Sequence, residues 1–141
     1  MYKYRGNFSI NGEKNNLCLC KKNHLSLSSE FLIVSMKIGI ILETKEVEKA
    51  WNAFRFAVTA KKQGHEVKVF LMGEAIECEG LYHEKFNVDE QLKTFVSAGG
   101  QVLACGTCLK ARQRSGTETC PISTMVDCVN MVTWADRVLT F

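Results

Sequence analysis

Residues 101–116 read Gln-Val-Leu-Ala-Cys-Gly-Thr-Cys-Leu-Lys-Ala-Arg-Gln-Arg-Ser-Gly, and the rest of the chain is organised around this stretch. The apolar run Val102–Ala104 predicts a short buried strand. The segment Leu109–Arg112 is typical of a helix, and Gly106 or Thr107 could cap its N-terminus. A strand that leads directly into a helix is the building unit of α/β folds, so the stretch predicts that class.

The second cysteine of this stretch is the strongest candidate for chemistry. Cys108 falls in the first turn of the predicted helix, where unpaired N–H groups and the helix dipole favour a thiolate. Lys110 and Arg112 add positive charge, and we expect them to help lower the pKa of Cys108. A thiolate is the nucleophilic form, so the pattern predicts a reactive residue. The alternative is a small apolar side chain packed under the helix.

The other cysteines carry weaker predictions. Cys105 is either an assisting or resolving thiol or a structural one. Cys78 lies between two glutamates, whose charges disfavour a thiolate, so it is a poor first nucleophile that could still receive sulfur or form a disulfide. We assign Cys120 and Cys128 to the core, with a smaller chance that Cys120 lies near the site.

Supporting roles are predicted for a few polar residues. Thr107 lies between the two cysteines, where its hydroxyl could cap the N-terminus of the helix. His83 lies in a loop and could lend a proton or a hydrogen bond, although a solvated histidine is the alternative. Lys110, Arg112 and Arg114 form either a solvated helix face or a docking patch for an acidic partner.

Composition excludes several classes of protein. At 141 residues the chain suits one domain, and it contains no apolar run near the roughly 20 residues of a membrane span. Residues 1–35 carry the whole net charge of +3, because residues 36–141 hold thirteen basic and thirteen acidic side chains. The body is therefore not a nucleic-acid-binding domain by charge. Seven cysteines cannot all pair, which indicates free thiols in a reducing, cytoplasmic setting.

Strand and helix patterns alternate along most of the chain. Residues 1–35 show no sustained period, and we expect an N-terminal extension that is disordered or precedes a working start at Met36. The predicted segments that follow are strand 38–42, helix 45–63, strand 66–72, loop 74–86 and a helix from Asn87 to Gly99. After the strand and helix of the cysteine stretch come helix 123–133 and strand 137–141. Helix 123–133 is predicted to have one apolar face, formed by Met125, Cys128, Val129 and Val132. This order predicts a three-layer α/β/α domain over 36–141 with a mainly parallel sheet of four to five strands. Ligands of such sheets bind beyond the carboxyl ends of the strands, where the cysteine stretch lies.

Several segments together resemble the DsrE/DsrF-like family. They are the opening Met36–Ile40, the helix through Trp51–Ala57, the link Gly64–Val67, the run Cys108–Arg112 leading to Gly116, and the ending Ala135–Phe141. The resemblance implies a three-layer α/β/α fold and homo- or hetero-oligomers, including trimers and hexamers. Several family members are sulfur carriers in relays for sulfur oxidation or tRNA thiolation. In those, a cysteine that corresponds to Cys108 holds a persulfide, and Cys105 departs from that single-cysteine pattern.

Four functions follow from these observations. The leading hypothesis is a sulfur relay in which Cys108 carries sulfane sulfur between donor and acceptor proteins, as a carrier or a sulfurtransferase, without metal or organic cofactor. The second is a thiol–disulfide protein that uses Cys105 and Cys108. The third is a metal site of Cys105, Cys108, Cys120 and Cys128, for zinc or iron. The fourth is an oligomeric subunit whose thiols are unused.

Overall fold

The structure is a computed structural model that describes residues 34–141. The expectation for an N-terminal extension therefore lies almost entirely outside the described residues. Within 34–141 the strands are β1 (Lys37–Leu42), β2 (Glu66–Leu71), β3 (Gln101–Cys105), β4 (Ile122–Ser123) and β5 (Arg137–Thr140). The α-helices are α1 (Val47–Lys62), α2 (Val88–Ser97), α3 (Gly106–Ala111) and α4 (Met125–Trp134), and Gly73–Glu77 forms a 3₁₀ helix.

All five strands are parallel, in the order β4-β3-β2-β1-β5. The connections from β1 to β2, from β2 to β3 and from β3 to β4 move across the sheet in one direction. The connection through α4 returns to the far side of β1, where β5 lies. Right-handed crossovers then require α4 to cover the opposite face from α1 and α2. The predicted three-layer α/β/α class is confirmed.

The larger core lies between the sheet and the pair α1 and α2. Phe54 and Phe95 are fully buried there, and their rings lie 6.4 Å apart between centroids. On the opposite face α4 buries Cys128 and Met131 against Phe70 and Cys105. A Cβ on Gly39 would lie 3.3 Å from that of Ala135, so the glycine in β1 allows α4 to approach the sheet closely.

Three details differ from the sequence predictions. The 3₁₀ helix Gly73–Glu77 occupies the start of the predicted loop 74–86. It is held in place because the Glu43 carbonyl accepts hydrogen bonds from the backbone N–H groups of Glu74 and Ala75. Residues Ile122–Ser123 form a strand beside β3 and not the start of a helix. The residue that caps α3 is Cys105, which has extended backbone, and not Gly106 or Thr107.

The predicted apolar face of α4 is wrong in most of its members. Cys128 is buried as expected, but Met125, Val129 and Val132 are exposed to solvent. The buried position that the prediction missed is Met131, three residues beyond Cys128. The helix is apolar on two sides, and the sequence pattern did not reveal which side packs on the sheet.

Candidate functional site

The register of the sheet brings three segments together at its carboxyl edge. Leu71 of β2 pairs with Ala104 of β3, so the residues after both strands lie side by side. Cys105 ends β3, and Cys108 occupies the first turn of α3, where the sequence placed it. The turn after β2 begins at Gly73 and faces this helix.

The Cys108 sulfur accepts a hydrogen bond from the backbone N–H of Gly73, with 3.2 Å between nitrogen and sulfur. Gly73 has a φ of +55°, and a Cβ there would lie 2.8 Å from the Glu43 carbonyl oxygen. The turn therefore needs glycine, and the turn aims its N–H at the sulfur. Sequence reasoning missed this donor, although a glycine directly after a strand at the binding edge was a usable signal.

Partial burial raises the pKa of the Cys108 thiol above its ordinary value. The Gly73 N–H lowers that pKa, the neighbouring Cys105 raises it, and the more distant charge of Arg112 lowers it by a smaller amount. The predicted contribution of Arg112 therefore has the expected sign, but the net shift of the Cys108 pKa is upward, against the thiolate that the helix start predicted. Desolvation outweighs the charge of Arg112, so the resting sulfur is mainly a thiol at neutral pH.

Accessibility separates the two cysteines of the stretch. Cys105 is only 4% exposed and packs with Phe70, Cys128 and Met131 on the α4 side of the sheet. Cys108 is half-buried and contacts the clusters on both sides. A reagent approaching the carboxyl edge can therefore reach Cys108, whereas burial shields Cys105 from it.

Three basic side chains converge on Glu77 beside the site. Lys45 lies 2.5 Å from the Glu77 carboxylate, and Arg112 and Arg114 each place Nε 4.0 Å from it. The hydrogen bond from Lys45 lowers the pKa of Glu77 and raises that of Lys45. We call Lys45, Arg112 and Arg114, the three basic side chains around Glu77, the cationic rim.

The remaining predicted residues lie apart from the sulfur. Thr107 and Lys110 are exposed on α3. His83 is exposed, stacks on Phe86 with 5.8 Å between ring centroids, and accepts the Lys85 N–H through Nδ1. Its contacts stay within its own loop, so the structure does not bring His83 to Cys108.

Two other cysteines lie in the larger core. Burial, followed by the charge of Glu77, raises the pKa of Cys78 to about 12. Burial, followed by the charge of Glu79, raises the pKa of Cys120 to about 12. Both sulfurs stay protonated at neutral pH, and neither is arranged as a nucleophile.

The four cysteines of the metal-site hypothesis do not converge. Cys120 packs in the larger core, while Cys105 and Cys128 belong to the α4 side. Over residues 34–141, no three His, Cys, Asp or Glu side chains are grouped to hold a metal ion. In the same range, no helix combines the length and apolar character needed to cross a membrane.

Comparison with known sequences assigns residues 36–141 to a family. The sequence model of the DsrE/DsrF-like family matches residues 36–141. The chain belongs to the DsrE/DsrF-like family. This confirms the resemblance seen in the sequence, and the family indicates a function of the sulfur-relay type in general.

Two relatives of this DsrE/DsrF-like protein come from methanogens. The "Uncharacterized protein MK0008" of Methanopyrus kandleri is 37% identical over 100 residues, which cover 67% of this chain and 83% of that protein. The "Uncharacterized protein MJ0989" of Methanocaldococcus jannaschii is 36% identical over 100 residues, which cover 67% of this chain and 88% of that protein. Most of the length of each relative is thus matched by this DsrE/DsrF-like chain.

Proposed function

We propose that this protein carries sulfane sulfur as a persulfide on Cys108 and passes it to a cysteine of a partner. The observation that supports this most strongly is the placement of the Cys108 sulfur. Of the five cysteines in residues 34–141, the other four are buried, whereas Cys108 is half-buried and accepts the Gly73 N–H. The accessible sulfur and its fixed donor lie at the edge where parallel sheets bind ligands.

The proposed relay needs only thiols and persulfides. The Cys108 thiolate attacks the outer sulfur of a donor persulfide, R–S–SH, and forms Cys108–S–SH while the donor leaves as the thiolate R–S⁻. An acceptor thiolate then attacks the outer sulfur of Cys108–S–SH, which releases the Cys108 thiolate. Each step forms one S–S bond and breaks another, so no external oxidant or reductant is required.

One contact of Cys108, the hydrogen bond from Gly73, favours the charged states of this cycle, while partial burial opposes them. The Gly73 N–H hydrogen-bonds the sulfur at 3.2 Å, and such a bond is stronger to an anion than to a neutral thiol. A persulfide is more acidic than the parent thiol, so the loaded form is the anionic one. The raised pKa keeps the empty thiol mainly protonated at neutral pH.

A thiol–disulfide protein is the alternative that one observation favours. Cys108 packs against the apolar cluster that contains Cys105, so the two side chains are neighbours. Attack of Cys105 on Cys108–S–SH would release hydrosulfide and leave a disulfide. The burial of Cys105 disfavours its use by an external partner, which leaves the relay as the better-supported function.

The proposal extends to partners and setting. The protein exchanges sulfur with donor and acceptor proteins, works in a reducing, cytoplasmic compartment without a cofactor, and assembles as a homo-oligomer such as a trimer or hexamer. The free cysteines of residues 34–141 support the reducing setting. Equal numbers of basic and acidic side chains over 36–141 argue against nucleic acid as the partner.

Cyanolysis tests the carrier function. The protein is incubated with a persulfide donor, desalted and treated with cyanide, which takes up sulfane sulfur as thiocyanate. Wild type and Cys105→Ser should release stoichiometric thiocyanate, and Cys108→Ser should release none. Equal release from Cys108→Ser would contradict the proposal. Release from Cys105→Ser but not from wild type would favour the dithiol alternative, because Cys105 would then discharge the persulfide as hydrosulfide.

A further inference from the structure

Two short helices lie side by side at the carboxyl edge of the sheet, and polar contacts join them at both ends. At one end the N–H of Gly73, the first residue of the 3₁₀ helix, donates to the Cys108 sulfur at 3.2 Å. At the other end the carboxylate of Glu77, the last residue of the 3₁₀ helix, lies 4.0 Å from Nε of Arg112, which directly follows α3. Each contact joins residues 35 positions apart in the chain, so the two helices run in the same direction in one register.

Glu77 also connects this pair of helices to the loop between β1 and α1. Its carboxylate accepts a hydrogen bond from Nζ of Lys45 at 2.5 Å and lies 4.0 Å from Nε of Arg114. The same loop holds the start of the 3₁₀ helix, because the Glu43 carbonyl accepts the N–H of Glu74. The loop therefore fixes the 3₁₀ helix at both ends, and at the end nearer α3 the contact is made by the Glu77 side chain.

The contacts of Glu77 differ from those of the other paired carboxylate in residues 34–141. Asp89 pairs with a single lysine, Lys93, one turn away on the same helix. Glu77 instead joins three segments, because the cationic rim comes from the loop before α1, from the end of α3 and from the residues after it. The rim side chains expose 31% to 48% of their surface, and ion pairs this exposed add little to the free energy of unfolding. We therefore look for the effect of Glu77 in the geometry of the site.

We propose that Glu77 is a positioning residue for Cys108, because it holds the far ends of the two helices together and so keeps the Gly73 N–H aimed at the sulfur. Within residues 34–141, this N–H is the one backbone donor to the Cys108 sulfur. A hydrogen bond weakens steeply when its distance and angle depart from the preferred values, so a small separation of the helices removes it. For sulfur transfer this role of Glu77 rests on the proposed function, whereas the contact between Gly73 and Cys108 is tested without sulfur.

A direct charge effect of Glu77 on the sulfur has the opposite sign, which allows the two roles to be separated. Removal of a nearby negative charge favours a thiolate and lowers the pKa of Cys108. Loss of the Gly73 donor raises that pKa, because this hydrogen bond lowers it in the intact protein. Neutralising Glu77 therefore moves the pKa of Cys108 upward if Glu77 positions the donor, and downward if it acts through its charge alone.

Alkylation of Cys108 in the full chain, measured as a function of pH, tests this role. In Glu77→Gln the midpoint should rise, and a rise of half a pH unit slows the reaction roughly threefold at neutral pH. Asp89→Asn is the matched control, because the side chains of Asp89 and Glu77 are 21% and 22% exposed and each pairs with a lysine. The control should leave the midpoint unchanged, and urea unfolding verifies that both variants are folded. A midpoint that falls or stays the same in Glu77→Gln would overturn the proposal.

A double-variant comparison tests whether Glu77 acts through Gly73. In a chain that already carries Gly73→Ala, Glu77→Gln should not raise the midpoint further, because the donor is already displaced. An equal rise with and without Gly73→Ala would overturn the proposal, since Glu77 would then act by another route. Sulfur loading of Glu77→Gln should be slower than that of wild type and reach the same final stoichiometry. If wild type itself takes up no sulfur, the proposed function fails, and the alkylation midpoints still decide the role of Glu77.

Discussion

At the scale of single residues, the properties of Cys108 depend on a balance between burial and one backbone donor. The sequence alone predicted that this cysteine, and not Cys78, would be the nucleophile. It could not predict the raised pKa, because desolvation depends on which atoms pack over the sulfur. The flanking basic residues were visible in the sequence, but the carboxylate of Glu77 that draws Arg112 and Arg114 comes from another segment.

Selective alkylation tests this description of the cysteines. In native protein, iodoacetamide should modify Cys108 first among the cysteines of residues 34–141, while Cys78 and Cys120 should react only after unfolding, because burial raises the pKa of each to about 12. Peptide mass spectrometry identifies the modified sites. Native labelling of Cys78 as fast as Cys108 would contradict the structure.

The pH dependence of Cys108 alkylation shows whether the pKa of this thiol is raised or lowered. Since the folded-state pKa is raised, the thiolate is scarce at neutral pH and the alkylation rate should rise through a midpoint above that of an ordinary cysteine. Arg112→Gln should move the midpoint higher, because it removes a charge that lowers this pKa. Arg55→Gln, whose guanidinium lies over Trp51, is the control and should not move it.

At the scale of elements, the turn after β2 links the fold to the site. Gly73→Ala should destabilise the protein by more than about 2 kcal/mol, because a positive φ and a backbone clash act together. Moving the Gly73 N–H should also slow the alkylation and sulfur loading of Cys108. Urea unfolding and the two rate measurements check this.

Gly80→Ala is the matched control for that variant. Gly80 has a φ of +81°, but a Cβ there would meet nothing within 4 Å. Gly80→Ala should lower the free energy of unfolding by only the conformational penalty of about 1–2 kcal/mol, and it should leave the reactions of Cys108 unchanged. Equal effects of the two variants on sulfur loading would show that the Gly73 N–H is not the important contact.

Elements with strong local signals were predictable from the sequence. The Asn87 side chain caps α2 by accepting the Glu90 N–H, and Gly64 follows α1 with a φ of +86°. The two-residue strand β4 was not predictable, because its pairing with β3 depends on the register of the sheet and not on an apolar period. The extended cap at Cys105 was missed for a similar reason, since a strand end and a helix cap coincide there.

At the scale of the whole molecule, the alternation of strands and helices predicted the three layers. It did not predict which side of α4 packs on the sheet. The sequence period placed Met125, Val129 and Val132 in a core, and they are apolar as that prediction required. In the structure, the residues of α4 that are buried in the core are Cys128 and Met131. An apolar helix pattern does not reveal which side of the helix the chain itself buries.

The larger core should dominate the stability of the molecule. Phe54→Ala should cost about 3–5 kcal/mol, because a fully buried ring between α1, α2 and the sheet is removed. Phe56→Ala, two residues away on the exposed side of α1, should cost less than about 1 kcal/mol. Urea unfolding compares the two, and equal costs would contradict the assigned faces of α1.

Intact-protein mass spectrometry after incubation with a persulfide donor tests the central claim most directly. Wild type and Cys105→Ser should gain the mass of sulfur, and Cys108→Ser should not gain it. The added mass should disappear on reduction and should map to the peptide that contains Cys108. If no protein gains sulfur, and wild type instead loses the mass of two protons only when both cysteines are present, the protein is a dithiol redox element and the relay account is wrong.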